Sequence, residues 1–360
     1  MYDFAVVGVG PAGARFARRA AEAGYDVVAF EQGEIGEPLA CSGHVSLDVW
    51  DFVPDSARST LLQNEIRGAR FHVGGPDSRG YPFYRDAPIS NVIDRVGLDR
   101  HLADAARDAG ADIRDRHSVT SVSEREDHVE LVVRGPMGTE SIAASMVAGC
   151  DGPGSSVREE VGLPRPDEFL HGVLGFAPGP DDQDFVDVHL TVPGFFAWRI
   201  PRGDAGVEYG LAANPGADVG TMFDTLLADY GVELDRRCSG VIPVGPPDTV
   251  TGHRTFLIGD AAGQTKPFTG GGIRYGMTAA DHAVAAIDPS TPSTLAAYES
   301  AWREDLERDI QLGRWVRRAY DLPAPIQHLG LWVFAGKIGV HMDRPSSLFS
   351  WEQMRAMFSR

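Results

Sequence analysis

Lysine is almost missing from this chain. Its 360 residues hold two, Lys266 and Lys337, beside 31 arginines. Acidic residues outnumber basic ones 51 to 33, for a net charge of -18. Such a field repels nucleic acid and opposes an anionic membrane unless salt screens it, so nucleic acid is not expected as a partner. Asp outnumbers Glu 33 to 18, which suits a halophilic surface of many small hydrated carboxylates. A high-GC genome would give the same arginine bias without salt adaptation.

Cysteine is also scarce. Cys41, Cys150 and Cys238 are too few for a disulfide framework or for the four thiolates of an iron–sulfur cluster. No apolar run approaches the ~20 residues of a membrane span. The N-terminus lacks a charged-then-apolar export segment, so a cytoplasmic location is expected. The eleven histidines show no pair at metal-ligand spacing, and no metal is expected. A chain of this length suggests about two domains.

What is present is glycine at meaningful places. The chain opens "YDFAVVGVGPAGARFARRAAEAGYDVVAFEQ". Phe4 to Val7 read as a buried parallel strand. Gly8, Gly10 and Gly13 follow as G-x-G-x-x-G, and Ala12 to Ala23 read as a helix ended by Gly24. Val27 to Phe30 read as the second strand, closed by Glu31. Glycines here let the backbone turn tightly and approach a pyrophosphate on the helix N-terminus. The acidic residue accepts a hydrogen bond from a ribose hydroxyl of the adenosine half. With strand, helix, strand and Glu all in place, the pattern points to a dinucleotide.

Two later stretches narrow the choice. "MVAGCDGPGSSVRE" ends a strand, Met146 to Ala148, on Asp151 and Gly152. "TFLIGDAAGQTKPFTGGGIRYG" runs from a strand, Thr255 to Ile258, through Asp260 and Gly270-Gly271-Gly272 into a helix from Ile273. An Asp at that strand end suits a ribityl hydroxyl. Three glycines at a helix start present N–H groups that favour negative charge on a reduced flavin.

The loop "PLACSGH", residues 38 to 44, places a cysteine just behind the first strand–helix–strand unit. Taken alone, Cys41 reads as a small buried residue. Beside a flavin it has two readings, a proton donor or packing on the flavin edge.

The three glycine and aspartate motifs resemble the FAD enzymes of p-hydroxybenzoate-hydroxylase fold, and local features resemble the geranylgeranyl reductase family. These are Pro38-x-x-Cys41, the segment "GFFAWRIPRGDAGVEYGLAA", and "KPFTGGGI". "NVIDRVGLDRHLADAA" is similar to the helix whose Arg, here Arg95, reaches the FAD. The resemblance spans roughly residues 1 to 285. It departs at Phe196, Ile200, Glu208-Tyr209 and Ser42-Gly43-His44, all around the substrate side.

The resemblance implies an α/β fold. FAD-binding segments are expected at 1–70, 92–160 and 240–285, interleaved with an antiparallel-sheet substrate domain at 71–91 and 161–239. A helical region is expected at 286–360, where the apolar "HLGLWVFAGKIGVHM" suits core, tunnel wall or a lip at the lipid surface. "SVSEREDHVELVVRG" reads as a hairpin of the FAD domain. The FAD contacts carried over are Gly8, Gly10, Gly13, Glu31, Cys41, Ser42, Gly43, Arg95, Val119, Asp151, Gly152, Asp260, Gly271, Gly272 and Ile273. Phe196, Trp198 and His44 would meet substrate, and Cys41 would be catalytic.

The reaction implied is reduction of isolated C=C bonds in a geranylgeranyl or polyprenyl chain. The substrate would be an archaeal ether lipid, a prenylated quinone or a prenyl diphosphate. With one dinucleotide fingerprint, electrons must come from outside: a ferredoxin-like protein, a deazaflavin or NAD(P)H. A monooxygenase, a halogenase and a prenyl-binding flavoprotein carrier are the competing readings. The halogenase reading wants a lysine early in the substrate region, and none precedes Lys266.

Overall fold

The computed structural model describes residues 1–37 and 41–337. Pro38 of the cysteine loop and the end of the C-terminal region, 338–360, lie outside the described residues. The opening motif folds as its pattern dictates. Tyr2–Val7 is a strand, Pro11–Glu22 a helix and Val27–Phe30 a strand, the first and last buried along their apolar runs. Pro11 sits at the first helical position, where its missing N–H costs nothing.

The first sheet has the order Asp112–Arg114, Val27–Phe30, Tyr2–Val7, Gly138–Gly149, Val129–Gly135, Ser118–Glu124. The first four strands run parallel, and Thr255–Leu257 adds in parallel to the end of Gly138–Gly149. The expected hairpin is Ser118–Glu124 with Val129–Gly135, antiparallel in this same sheet. The C-terminal ends of Tyr2–Val7, Gly138–Gly149 and Thr255–Leu257 therefore lie side by side. They carry Gly8, Cys150-Asp151 and Gly259-Asp260, so the topology alone gathers the three motifs at one edge. This is where open α/β sheets bind ligands.

The second sheet is larger and mostly antiparallel, in the order Arg236–Pro243, Phe169–Ala177, Val207–Ala213, Ala197–Pro201, Phe185–His189, Gly68–His72, Gly80–Tyr84, Gly336–Lys337. Phe185–His189 pairs in parallel with Gly68–His72, and Gly336–Lys337 with Gly80–Tyr84. The expected boundaries at 70 and 240 fall inside strands of this sheet. Period-2 alternation divides its faces. One face (Val173, Val207, Leu211) is covered by the helix Val219–Tyr230 through Phe223 and Leu226. The other carries Leu170, Phe196, Trp198, Ile200 and Val188 and turns to the first domain. A small sheet, His44–Ser46, Ser90–Ile93 and Leu62–Ile66, lies between the two.

The charged C-terminal stretch is a 23-residue helix, Leu295–Arg317, anchored in the first core by Tyr298, Trp302, Leu306 and Ile310. Ala324–Phe334 is one of the short helices expected beyond it.

Candidate active site

The glycines of the first turn divide by role. Gly8 has φ +94, and a side chain there would collide with the Cys150 carbonyl. One at Gly13 would collide with the Gly8 carbonyl. Both are needed for the protein's own packing. Gly10 caps the helix, and a Cβ there would meet no atom of the described residues within 4 Å; the same holds for Gly152 and Gly154 across the groove. These three positions keep clear a space that the protein itself does not fill. The groove, ≈ 500 Å³, is lined by Gly8, Gly10, Glu31, Val119, Asp151 and Gly152, among others.

Glu31 closes the far end. Its Oε2 accepts from the Val9 N–H at 2.9 Å, which ties the glycine turn to the second strand. Asp151 is mostly engaged locally. It accepts from the Ser155 hydroxyl at 2.6 Å, the Ser156 hydroxyl at 3.1 Å and the Val157 N–H at 3.0 Å, which fixes the turn after Gly152.

A buried charged cluster sits where the motifs converge. Arg95 is 4% exposed and donates to Asp99 at 2.7 and 3.2 Å, while its Nε has no partner among the described residues. Asp99 was not legible as a partner from sequence, although its i+4 spacing on the helix Arg95–Asp108 is the signal for it. The Arg95 guanidinium lies near enough to Cys41 for its charge to act on the thiol. Burial pushes the Cys41 thiol up, against the pull of Arg95, so the sulfur keeps its proton at neutral pH. Its Sγ contacts the Ser42 carbonyl at 3.4 Å. Asp260 lies in the same field. Burial pushes its carboxyl up to about 6, with Arg95 acting in the opposite sense.

The glycine triplet packs between this cluster and the second sheet. A Cβ on Gly272 would sit 2.5 Å from Asp260 Oδ1, and one on Gly271 2.8 Å from Lys266 Cε. Lys266 is 5% exposed at this loop, a placement that sequence reasoning did not anticipate. Ile273 begins the helix Ile273–Ala286. Gly270 faces the apolar side of the second sheet, with Ile242 at 3.2 Å and Phe195 at 3.4 Å from its missing Cβ. The aromatic face is thereby brought over the glycine loop.

That face is a row of rings. Phe195 and Phe196 stack with centroids 4.2 Å apart. Trp198 meets Phe196 edge-on, and Tyr320 closes the row from the C-terminal region, its hydroxyl donating to the Phe268 carbonyl at 2.7 Å. Tyr320 was missed from sequence because it reaches the site only through tertiary packing. Gly43 packs on the small sheet, where a side chain would collide with the Ile93 carbonyl. The Ser42 hydroxyl accepts from the His44 N–H. His44 Nε2 lies 2.7 Å from the Ser90 hydroxyl, and its strand partner Val92 belongs to the apolar cluster that Phe196 and Trp198 pack against.

Clear space over three glycines, an acidic residue at the second strand end and an unpartnered buried Arg95 Nε fit an extended dinucleotide. Comparison with known proteins agrees. The profile for "FAD binding domain" matches residues 1–187. Digeranylgeranylglycerophospholipid reductase 2 of Methanothermobacter thermautotrophicus is 28% identical over 349 residues, covering 89% of this chain and 88% of its own. The digeranylgeranylglycerophospholipid reductase of Methanothrix thermoacetophila is 30% identical over 336 residues, covering 86% and 84%. A geranylgeranyl bacteriochlorophyll reductase-like protein from Thermoplasma acidophilum superposes with a TM-score of 0.83 at 25% identity, covering 92% and 91%.

Proposed function

The chain belongs to the FAD-binding family of the digeranylgeranylglycerophospholipid reductases, and from that premise we propose that it saturates the C=C bonds of a geranylgeranyl chain carried by an archaeal ether lipid. It is an FAD-dependent oxidoreductase acting on prenyl chains. The observation that carries the substrate reading is the aromatic row, Phe195, Phe196, Trp198 and Tyr320, held over the glycine loop at Gly270. It offers an apolar, water-poor surface to a long hydrocarbon.

FAD held in the groove would supply the hydride chemistry that alkene reduction needs. The chain's own residues do the rest. Gly8 and Gly13 let the turn close, so that Gly10 and Glu31 would hold the adenosine and pyrophosphate half. Arg95, fixed by Asp99, would offer a cation to the cofactor beside the cysteine loop. An isolated alkene is unactivated, so alignment and exclusion of water must lower much of the barrier. The second carbon needs a proton, and Cys41 Sγ, kept protonated by burial, holds one at this place.

Electrons enter from an external donor, a ferredoxin-like protein, a deazaflavin or NAD(P)H. No helix among the described residues is long and apolar enough to cross a membrane. The helix Ala324–Phe334 turns Ile326, Leu329, Trp332 and Phe334 to solvent, an apolar face suited to the lipid surface from which such a substrate would come. The test is anaerobic incubation of the dithionite-reduced holoenzyme with digeranylgeranylglycerophospholipid. A mass gain of two hydrogens per reduced bond is expected. An unchanged lipid, with oxygen-dependent hydroxylation or halogenation of another substrate, would turn the assignment to a monooxygenase or halogenase of the same fold.

A further inference from the structure

The substrate-facing side of the second sheet carries a charge that an apolar surface has no evident use for. Glu208 is 0% exposed, in the strand Val207–Ala213. Its Oε1 accepts from Trp198 Nε1 at 2.9 Å, and its Oε2 accepts from Arg202 at 3.2 Å. Arg202 is 8% exposed, lies 4.7 Å over the Phe176 ring, and has an Nε with no partner. Withdrawing such a pair from water is expensive, and apolar residues of similar volume would serve the fold equally well. What the pair supplies in this place is a fixed indole.

Trp198 lies flat on Gly210, where any side chain would collide with its ring. Two torsions place an indole, and one hydrogen bond from Nε1 to a buried carboxylate selects a single setting. On the neighbouring strand a Cβ at Gly172 would make only ordinary contacts, the nearest at 3.7 Å. Gly172 pairs with Ala212 on one side and with the exposed Gly240 on the other. Ala212 lies two residues along its strand from Gly210, on the same face as the indole.

We propose that Glu208 is a positioning residue for chain recognition: through Trp198 it fixes the width of the apolar path along which the prenyl chain lies. Arg202 neutralises it, so that the path stays free of net charge. This rests on the prenyl-reductase reading, deepens it to a residue that selects the chain, and is tested so that the two fail separately.

Glu208→Gln alone would strand a buried guanidinium and risk misfolding, so the principal variant is the charge-free pair Arg202→Met/Glu208→Leu. It is compared with Trp198→Phe and with the triple variant, all as holoenzymes. Geranylgeraniol binding is read from the perturbation of the flavin spectrum. Both Arg202→Met/Glu208→Leu and Trp198→Phe should weaken binding roughly tenfold, the size of one hydrogen bond to a charged group. The triple variant should be no weaker than either, because all act through one indole. Acrylamide quenching of Trp198, isolated by subtracting the Trp198→Phe signal, should rise several-fold in the charge-free pair. Additive losses, or unchanged quenching with the melting temperature retained, would overturn the proposal. Failure of wild-type holoenzyme to bind geranylgeraniol would instead remove the prenyl reading, and quenching alone would then decide whether Glu208 fixes Trp198.

Discussion

The Arg95 guanidinium, locked on Asp99 at 2.7 Å, sets its charge beside the thiol of Cys41. One residue thus brings the start of the helix Arg95–Asp108 beside the loop that carries the thiol. Cys41→Ser tests what the thiol does. Serine keeps the shape and a hydrogen-bond donor, but its proton is far less acidic. If Cys41 gives the proton, single-turnover alkene reduction should fall roughly 10²-fold or more, the scale of a positioned acid. FAD content should stay near wild type. A near-wild-type rate for Ser would leave Cys41 as packing.

The two classes of glycine should separate in one experiment. Gly10→Ala adds a methyl where no atom of the described residues lies within 4 Å. The FAD-free fold should lose at most about 1 kcal/mol, as for a changed helix cap, while FAD affinity should fall more than tenfold. Gly13→Ala collides with the Gly8 carbonyl and should damage fold and binding together. Equilibrium dialysis and urea unfolding of both variants check this. Equal damage to the fold in the two would show that Gly10 is not reserved for a ligand.

Asp260 gives a pH signature with a definite sign. Burial raises its carboxyl from 3.8 to about 6. A raised carboxyl contributes stability below the unfolded value, and that contribution is lost as pH rises through about 6. Asp260→Asn, which cannot ionise, should therefore gain on wild type between about pH 4 and 6. The gain should level off near roughly 2–3 kcal/mol in FAD-free protein, at about 1.4 kcal/mol per pKa unit. It should also bind FAD more weakly. Urea unfolding at pH 4.5 and 7.5 is the check, and an Asn variant no more stable at pH 7.5 would contradict it.

Gly172→Val probes the path itself. A Cβ there makes only ordinary contacts, 3.7–3.8 Å from Gly240, Ile242 and Leu211, on the face that carries Trp198. Apparent KM for a geranylgeranyl lipid should rise roughly tenfold or more, as expected when bulk displaces part of a bound chain, with FAD spectrum and melting temperature unchanged. An unchanged KM would move the chain off this face.

Much of this was legible in the chain. The strand–helix–strand with Gly8, Gly10, Gly13 and Glu31 is local, and its hydrophobic period and turn residues sit within thirty residues of one another. Asp260 and the glycine triplet likewise read from a strand end and a helix start. The aromatic segment at 195–198 was visible as a resemblance and Glu208 as a departure from it, but the contacts among them were not. Tyr320, Glu208 and Arg202 reach Phe196 and Trp198 by sheet register and helix packing, which leave no periodic trace. Lys266 gave no sign that it would be buried against Gly271, because a single lysine in a polar loop ordinarily faces water.

The central claim is that electrons stored on this enzyme pass to an isolated prenyl double bond. The direct measurement mixes dithionite-reduced holoenzyme with a geranylgeranyl lipid in the strict absence of oxygen and follows the flavin absorbance. Reoxidation should proceed with one alkene saturated per flavin oxidised, and it should be absent with the fully saturated lipid. Flavin that stays reduced until oxygen is admitted would contradict the account.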